Sequence, residues 1–185
     1  GNGHGSVGLL GADSLLTHCI VTNNASTQDS QSRCNSSGVD IRGGARASNC
    51  LIAHNTMSGS DGRSDRYNAA GAVLFENGNN RLENCTVVDN TGDTVGGVYA
   101  TVGVIRNCAI GGNKVNNDTG TLSVYNTKAS SFHACASSLE IVGGDDCVNG
   151  TVSFVGASSG DYHHAAGSVA IGNGRPRLAE SGTLD

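Results

Sequence analysis

The sequence has very little of several residue types on which other folds depend. Among its 185 residues there is one proline, no tryptophan and only two lysines, Lys114 and Lys128. Long helices favour Leu, Ala, Glu, Lys and Arg, so this composition argues against a helical protein. The 28 glycines beside a single proline indicate many tight turns between ordered strands rather than a proline-rich linker.

Charge and hydropathy exclude two further classes of protein. The formal net charge is −5 and the arginines are scattered along the sequence, so we expect no nucleic-acid partner. No apolar run approaches the roughly 18 residues of a membrane-spanning helix, so we expect no membrane span. The chain opens on Gly1-Asn2-Gly3-His4-Gly5, and a secreted form is expected to carry its signal peptide upstream.

One short pattern recurs along the chain. Cysteine occupies the same place five times, and asparagine follows five residues later in four of those copies. The members are Cys19, Cys50, Cys85, Cys108 and Cys135, with Asn24, Asn55, Asn90 and Asn113. Successive cysteines are 31, 35, 23 and 27 residues apart. A fixed local pattern with a variable total length is typical of a solenoid with loop insertions.

The residues around each cysteine predict a strand and a bend. Side chains alternate along a strand, so each cysteine shares a face with the residue two positions later. These partners are mostly β-branched, which suits inward stacking, and they are Val21, Ile52, Val87, Ile110 and Ser137. An apolar residue three positions before each cysteine has the opposite parity, which predicts a bend between the two. These apolar residues are Leu16, Ala47, Leu82, Ile105 and Phe132.

Stacking gives the repeated residues structural roles. We expect the cysteines to be reduced, buried and stacked on their copies as small apolar residues. We expect the asparagines to support left-handed turns and to form a ladder of side-chain amides. Cys34 and Cys147 lie outside the pattern. Cys135 and Cys147 enclose a short loop, so a disulfide between them is an alternative to free thiols.

This pattern resembles the right-handed parallel β-helix of secreted and surface bacterial proteins, whose coils carry stacked N-C-x-I-x-x-N segments. The stretch from Cys135 to Cys147 looks like a last coil, and the stretch from Gly160 to Ile171 is similar to the terminal segment of such proteins. The resemblance implies an all-β, right-handed parallel β-helix of about five coils over residues 1–160, with a C-terminal cap and tail over residues 161–185. Such coils support adhesins and carbohydrate enzymes alike, so the fold leaves the function open.

Two short segments resemble parts of polygalacturonases. Gly3-His4-Gly5 is similar to their GHG segment, in which the histidine supports the catalytic carboxylates. Glycoside hydrolysis needs two carboxyl groups across the bond. In that family the aspartates precede this histidine, whereas the sequence shows only Gly1, Asn2 and Gly3 before it. The stretch from Gly38 to Arg42 is similar to the basic segment that binds the sugar carboxylate, but Asp40 replaces the first basic residue.

The most charged loop runs from Ser60 to Tyr67. Asp61 and Asp65 could hold a calcium ion, while Arg63 or Arg66 could accept a proton, as in a polysaccharide lyase. The alternative is a solvated insertion whose charges pair weakly at the surface. The six histidines show no metal-ligand spacing, so we expect no metal or other cofactor apart from such a calcium ion.

Together these features favour a non-catalytic module, structural or adhesive, that is extracellular or on the cell surface. Its expected partners are carbohydrate, or copies of itself stacked through the coil ends. The alternative is a polysaccharide-active enzyme, a lyase or a glycoside hydrolase that acts on acidic sugars. Its candidate residues would be His4, Asp61, Arg63, Asp65 and Arg66. The chain enters its repeat near Gly8 without a cap, so it is expected to belong to a longer β-helix or to stack end to end.

Overall fold

The computed structural model describes residues 7–28, 35–59, 69–93, 95–100, 102–116, 124–126, 132–138 and 145–175. These residues form short strands, joined by turns and by one 3-10 turn at Ala157–Ser159. No helix within these ranges is long and apolar enough to cross a membrane.

Successive coils stack their strands into parallel sheets. The first sheet contains β1 (Val7–Leu10), β6 (Val39–Arg42), β11 (Val73–Phe75), β15 (Val98–Ala100) and β19 (Val124–Asn126). The second contains β2 (Leu15–Thr17), β7 (Arg46–Ser48), β12 (Arg81–Glu83), β16 (Val104–Arg106) and β20 (Phe132–His133).

Two further parallel sheets complete each coil. The third sheet follows the repeated cysteines and contains β3 (Ile20–Thr22), β8 (Leu51–Ala53), β13 (Thr86–Val88), β17 (Ala109–Gly111), β21 (Ala136–Ser137) and β22 (Val148–Asn149). The fourth contains β4 (Ala25–Gln28), β9 (Thr56–Gly59), β14 (Thr91–Gly92) and β18 (Lys114–Val115). The prediction of a parallel β-helix with about five coils is therefore confirmed.

Two pairs of strands lie outside these four sheets. β5 (Asn35–Ser36) pairs in parallel with β10 (Ala69–Ala70) beside the first sheet. β23 (Phe154–Gly156) and β24 (Asp161–His164) form an antiparallel hairpin after the last coil.

The inward column of the third sheet matches the predicted alternation. Val21, Ile52, Val87, Ile110 and Ser137 pair in direct register from coil to coil. Ile52, Val87 and Ile110 are completely buried. The β-branched residues therefore fill the interior of the stack, as the two-residue period requires.

The bend before each cysteine is a left-handed residue. These corner residues have φ between 50 and 54°, and they are His18, Asn49, Asn84, Asn107, Ala134 and Asp146. Asn, Asp and His tolerate this region because their short polar side chains can bond the local backbone. The corner separates the second sheet from the third, so Leu82 and Cys85 enter the same core despite their opposite parity. The predicted bend is confirmed.

The expected asparagine ladder is also present. The Nδ2 group of each asparagine donates to the Oδ1 atom of its copy in the next coil, at 2.8 Å from Asn24 to Asn55, 2.9 Å from Asn55 to Asn90 and 2.9 Å from Asn90 to Asn113. The left-handed turns, however, belong to the residues just before these asparagines, which are Asn23, His54, Asp89 and Gly112. The ladder asparagines therefore bond the turns without adopting the left-handed conformation themselves.

The cysteine column is longer than the sequence pattern suggested. Cys50, Cys85, Cys108 and Cys135 are at most 3% exposed, and burial raises the pKa of the Cys108 thiol well above its ordinary value. β22 pairs with β21 in the register Ala136 to Val148, which places Cys147 on Cys135. Cys147 is thus a member of the column, and the prediction that it lies outside was wrong.

Two other cysteine predictions have different outcomes. Cys135 and Cys147 are both free thiols, so the disulfide alternative is not adopted. Cys19 was expected to be buried, but it is partly exposed because it lies in the first described coil and only one described coil packs against it. Cys34 lies outside the described residues.

After the last coil, the chain turns back along the outside of the stack. Val152 lies over Gly111, where an added Cβ would come within 3.1 Å of the Val152 Cβ. The backbone N–H of Arg175 donates to Oδ1 of Asn107 at 2.9 Å. Ala109 and Ala136 point outward but are only 6% and 4% exposed. Residues 152–175, which include the described part of the expected capping segment, thus cover the outer face of the third sheet at its last coils.

Candidate functional site

An open groove of about 720 Å³ lies between the hairpin and the stack. Leu51 and Thr86 line it from the outer face of the third sheet, and Asn49 and Asn84 line it from the left-handed corners. Residues 159–163 of the hairpin line the opposite side. The groove therefore joins side chains that are set by strand register to side chains from the non-repeating C-terminal segment.

The hairpin contributes an aspartate and a histidine to this groove. Asp161 and His163 are two residues apart on β24, so they share one face of the strand. The Oδ1 atom of Asp161 lies 2.6 Å from Nδ1 of His163 and accepts the backbone N–H of His163 at 3.0 Å. These backbone and side-chain hydrogen bonds lower the pKa of Asp161. The groove thus receives a carboxylate that stays ionised and an imidazole oriented by it.

Tyr162 fastens the hairpin to the stack. Its hydroxyl group forms a hydrogen bond with Nε2 of His54, the left-handed residue of the second coil. Its ring packs edge-on against Phe154 with 5.5 Å between centroids. Burial, followed by the negative charge of Asp89, raises the pKa of Tyr162. The phenol is therefore a neutral hydrogen-bonding group at physiological pH.

The two corner asparagines present amide groups to the groove. The Oδ1 atom of Asn84 accepts a hydrogen bond of 3.1 Å from Nδ2 of Asn107 in the next coil. This contact fixes the Asn84 amide and leaves its Nδ2 group without an acceptor among the described residues. The side chain of Asn49 makes no hydrogen bond within the described part of the chain. Both amides can therefore bond a ligand without breaking a described contact.

A second polar cluster lies on the outer face of the first sheet. The Nη1 atom of Arg42 lies 2.9 Å from Oε2 of Glu76, and its Nη2 atom lies 3.3 Å from Oδ2 of Asp40. The Oδ1 atom of Asp40 accepts the backbone N–H of Ser36 at 3.0 Å. Burial raises the pKa of Asp40, although hydrogen bonds from Ser36 and the charge of Arg42 oppose the shift. One guanidinium group thus separates a buried carboxyl group from a more exposed one.

The residues singled out for catalysis from the sequence cannot be placed. His4, Asp61, Arg63, Asp65 and Arg66 lie outside the described residues, so their roles and the calcium ion remain predictions. Where the structure does describe the chain, no group of three or more His, Cys, Asp or Glu side chains could hold a metal ion.

Sequence reasoning missed the groove residues of the hairpin. Asp161, Tyr162 and His163 belong to the terminal segment that we interpreted as a cap. The alternation of Asp, Tyr and His along one strand is a signal for which side chains share a face. It does not say which surface the strand will pack against, and that contact creates the groove.

Comparison with known proteins agrees with this architecture. No curated protein and no solved structure matches the chain. A family model described as a right handed beta helix region matches residues 1–156, which include every described strand of the four parallel sheets. The protein therefore belongs to the right-handed β-helix family.

Proposed function

We propose that this protein is an extracellular or cell-surface module, structural or adhesive rather than catalytic, whose groove at the hairpin binds carbohydrate. The observation that supports this function is the groove itself, in which amide, hydroxyl, carboxylate and imidazole groups converge beside apolar side chains. A location outside the cell is suggested by the similarity of the C-terminal segment to that of secreted β-helix proteins.

The groove has the chemistry that sugar rings require. Sugar hydroxyl groups both donate and accept hydrogen bonds. The side-chain amides of Asn49 and Asn84 also have donor and acceptor groups, so they can pair with either. Leu51 offers an apolar surface to the C–H face of a ring, with Thr86 beside it. Because the backbone of the corners and strands is fixed by the stack, little backbone order has to be gained on binding, which favours affinity.

Binding to a panel of neutral and acidic polysaccharides, measured by calorimetry, tests this function. Asn84→Gly removes the amide but keeps a residue that tolerates the left-handed corner. We expect it to weaken binding about tenfold, the loss of roughly one well-formed hydrogen bond. Asn79→Gly is the matched control, because Asn79 is exposed and lies outside the groove. Equal affinity of the wild type and Asn84→Gly would contradict the proposal.

The structural role includes self-association through the coil ends. The hydrogen bonds of the ladder all run in one direction. Asn24 donates to Asn55, while the Oδ1 atom of Asn24 accepts no hydrogen bond among the described residues. Copies that continue this ladder must stack head to tail, which gives an open filament unless the rotation closes a ring. Light scattering after size-exclusion chromatography tests the association. A monomer at every concentration would contradict it.

A specific observation also favours a second function, a polysaccharide-active enzyme on acidic sugars. Asp40 and Glu76 flank Arg42, and burial raises the pKa of Asp40. Two carboxyl groups in one cluster, one of them buried, are the parts of an acid–base pair. New reducing ends, or unsaturated products, from polygalacturonate would support this function if Asp40→Asn abolished them. The absence of both products with polygalacturonate and alginate would contradict it.

A further inference from the structure

The outer face of the second sheet brings together three arginines that are far apart in the sequence. Arg46 pairs directly with Arg81, and Glu83 pairs directly with Arg106. Arg81 and Glu83 are two residues apart on β12, so all four side chains point to the same outer face. We call these four residues the arginine face. The arginines are scattered along the sequence, but the fold brings three of them together at this face.

Two of the three arginines of the arginine face have no ionic partner among the described residues. Arg81 lies 3.9 Å from Oε1 of Glu83, a separation too long for a hydrogen bond. That Oε1 atom is buried and has no hydrogen-bond partner. The guanidinium groups of Arg46 and Arg106 make no ion pair or hydrogen bond among the described residues. Two half-buried guanidinium groups are thus unpaired within the described part of the chain, although the net charge of the whole chain is −5.

The two unpaired guanidinium groups leave positive charge available to a ligand. Arg46 and Arg81 are direct neighbours in the sheet, and like charges in direct register destabilise a sheet. Both guanidinium groups are partly accessible, since Arg46 is half-buried and the Arg81 side chain is 20% exposed. Next to Arg106 in the sheet, His133 faces Asp145, with 3.3 Å between Nδ1 and Oδ2, so the positive surface ends there.

We propose that the arginine face binds a polysaccharide with carboxylate-bearing sugars, through Arg46 and Arg106. The planar guanidinium fork matches a carboxylate in two parallel hydrogen bonds, and the positive charge complements a chain of acidic sugars. The face adjoins the groove, because Ser48 and Glu83 directly precede the corner residues Asn49 and Asn84. The inference rests on the proposed function in that the partner is a carbohydrate, and it adds the chemical class of that carbohydrate.

A polysaccharide fits this face better than a nucleic acid does. A nucleic-acid site neutralises a long track of phosphates with many basic side chains. Here only two arginines are unpaired among the described residues, the carboxylate of Glu83 lies beside the arginines, and the whole chain is negative. Widely spaced carboxylates on an uncharged sugar backbone need only a few such contacts.

The test compares alginate, neutral dextran and a DNA duplex by biolayer interferometry. We expect alginate to bind, dextran to bind at least tenfold more weakly, and alginate binding to weaken as salt screens the charges. Arg46→Gln and Arg106→Gln should each weaken alginate binding by roughly tenfold. Arg175→Gln is the matched control, since Arg175 is exposed, lies off this face and already pairs with Asp146. Circular dichroism and thermal melting verify that each variant is folded.

Further variants separate this inference from the proposed function. Arg106→Lys keeps the charge but loses the planar fork, and we expect it to bind alginate with an intermediate affinity. If neutral glycans bind through Asn84 while the arginine variants have no effect on alginate, the arginine face is refuted and the groove function stands. If the double variant Arg46→Gln/Arg106→Gln loses alginate while Asn84→Gly retains it, the arginine face is supported on its own. DNA binding as tight as alginate binding, abolished by the same double variant, would overturn the assignment to a polysaccharide.

Discussion

Asn55 donates a hydrogen bond of 2.9 Å from its side-chain Nδ2 group to the Oδ1 atom of Asn90, which lies one coil further along the stack. The same Oδ1 atom accepts the backbone N–H of Asn55 at 2.9 Å. Both asparagines are completely buried. A single acceptor atom therefore satisfies two buried donors, and it ties two coils together at the turn where the chain leaves the third sheet.

The first prediction follows from this contact. Asn90→Ala removes the acceptor for both donors of Asn55, and it leaves the carbonyl groups of Ile52 and Val88 without the Nδ2 donor that they share. We expect a loss of about 3 kcal/mol in the free energy of unfolding, since each orphaned buried group costs roughly 1–3 kcal/mol. Urea unfolding measures it. Asn79→Ala, at an exposed position, is the control and should change little; similar losses in both variants would show that the ladder is not the cause.

The second prediction concerns thiol accessibility. In a Cys34→Ser background, we expect a thiol reagent to modify Cys19 and Cys147 quickly, because both are partly exposed. Cys50, Cys85, Cys108 and Cys135 are buried, and they should react only when the coils open. Mass spectrometry of peptides after timed labelling distinguishes the two groups. Rapid modification of Cys85 in the folded protein would contradict the buried column.

The third prediction concerns the corner at Ala134. Alanine there has φ 50°, in a region that is unfavourable for a residue with a Cβ atom and no polar group. The adjacent cavity of about 70 Å³, lined by Ala134 and Asn107, has room for a short side chain. We expect Ala134→Asn to stabilise the protein by roughly 0.5–1 kcal/mol, as asparagine tolerates this conformation. Ala134→Val should destabilise it, since β-branched residues resist positive φ. Thermal melting measures both variants, and a change of the same sign in both would refute this account.

The fourth prediction uses the raised pKa of Asp40. A carboxyl group with a raised folded-state pKa contributes stability below its unfolded pKa, and that contribution is lost as pH rises through the folded pKa. Asp40→Asn keeps an acceptor for the N–H of Ser36 but cannot ionise. We therefore expect the wild type to gain stability relative to Asp40→Asn as pH falls from about 7 to about 4. Asp161, whose pKa is lowered, is present in both proteins, so its contribution to the pH dependence cancels in the comparison. If the wild type instead gained stability relative to Asp40→Asn as pH rose, the burial of Asp40 would be contradicted.

The fifth prediction concerns the hydrogen bond between Tyr162 and His54. Tyr162→Phe keeps the ring against Phe154 but removes the hydroxyl group, so we expect backbone amides of β23 and β24 to exchange faster while the coils are unchanged. Because the pKa of Tyr162 is raised, this stabilisation should persist in neutral solution and be lost at alkaline pH as the phenol ionises. Hydrogen exchange with mass spectrometry measures both effects. Val155→Ala, at a side chain that is 65% exposed, is the control, and equal exchange in both variants would argue against the anchor.

The repeating part of this structure could be predicted from the sequence because its signals are local. Cys85 and Val87 share a face through simple alternation, and the parity change at Leu82 required the corner that Asn84 makes. Cys147 was missed because it follows Cys135 after only 12 residues, much less than a full coil elsewhere in the chain. Because of this short spacing, the alignment of Cys147 with Cys135 becomes visible only from the pairing of β21 with β22.

The groove and the arginine face were harder to predict, for two different reasons. The groove depends on where a non-repeating hairpin packs, and the pattern of Tyr162 and its neighbours does not specify that surface. The arginine face was open to prediction: Arg46 and Arg81 each precede a column cysteine by four residues, and Arg106 precedes one by two. When the repeats are aligned on their cysteines, Arg46 and Arg81 fall at the same position. This match is not visible when the arginines are read in linear order.

The coil-by-coil register has a mechanical consequence. Within the described sheets and the amide ladder, each coil is bonded to the coils directly above and below it. A force that pulls the chain ends apart therefore loads one interface at a time, as in a zipper, and does not shear the whole stack at once. The coils differ in length, with 31, 35 and 23 residues between the first four cysteines, and an extended chain spans about 3.4 Å per residue. Each rupture should thus release its own length of chain, so a force–extension trace would record the order in which the coils open.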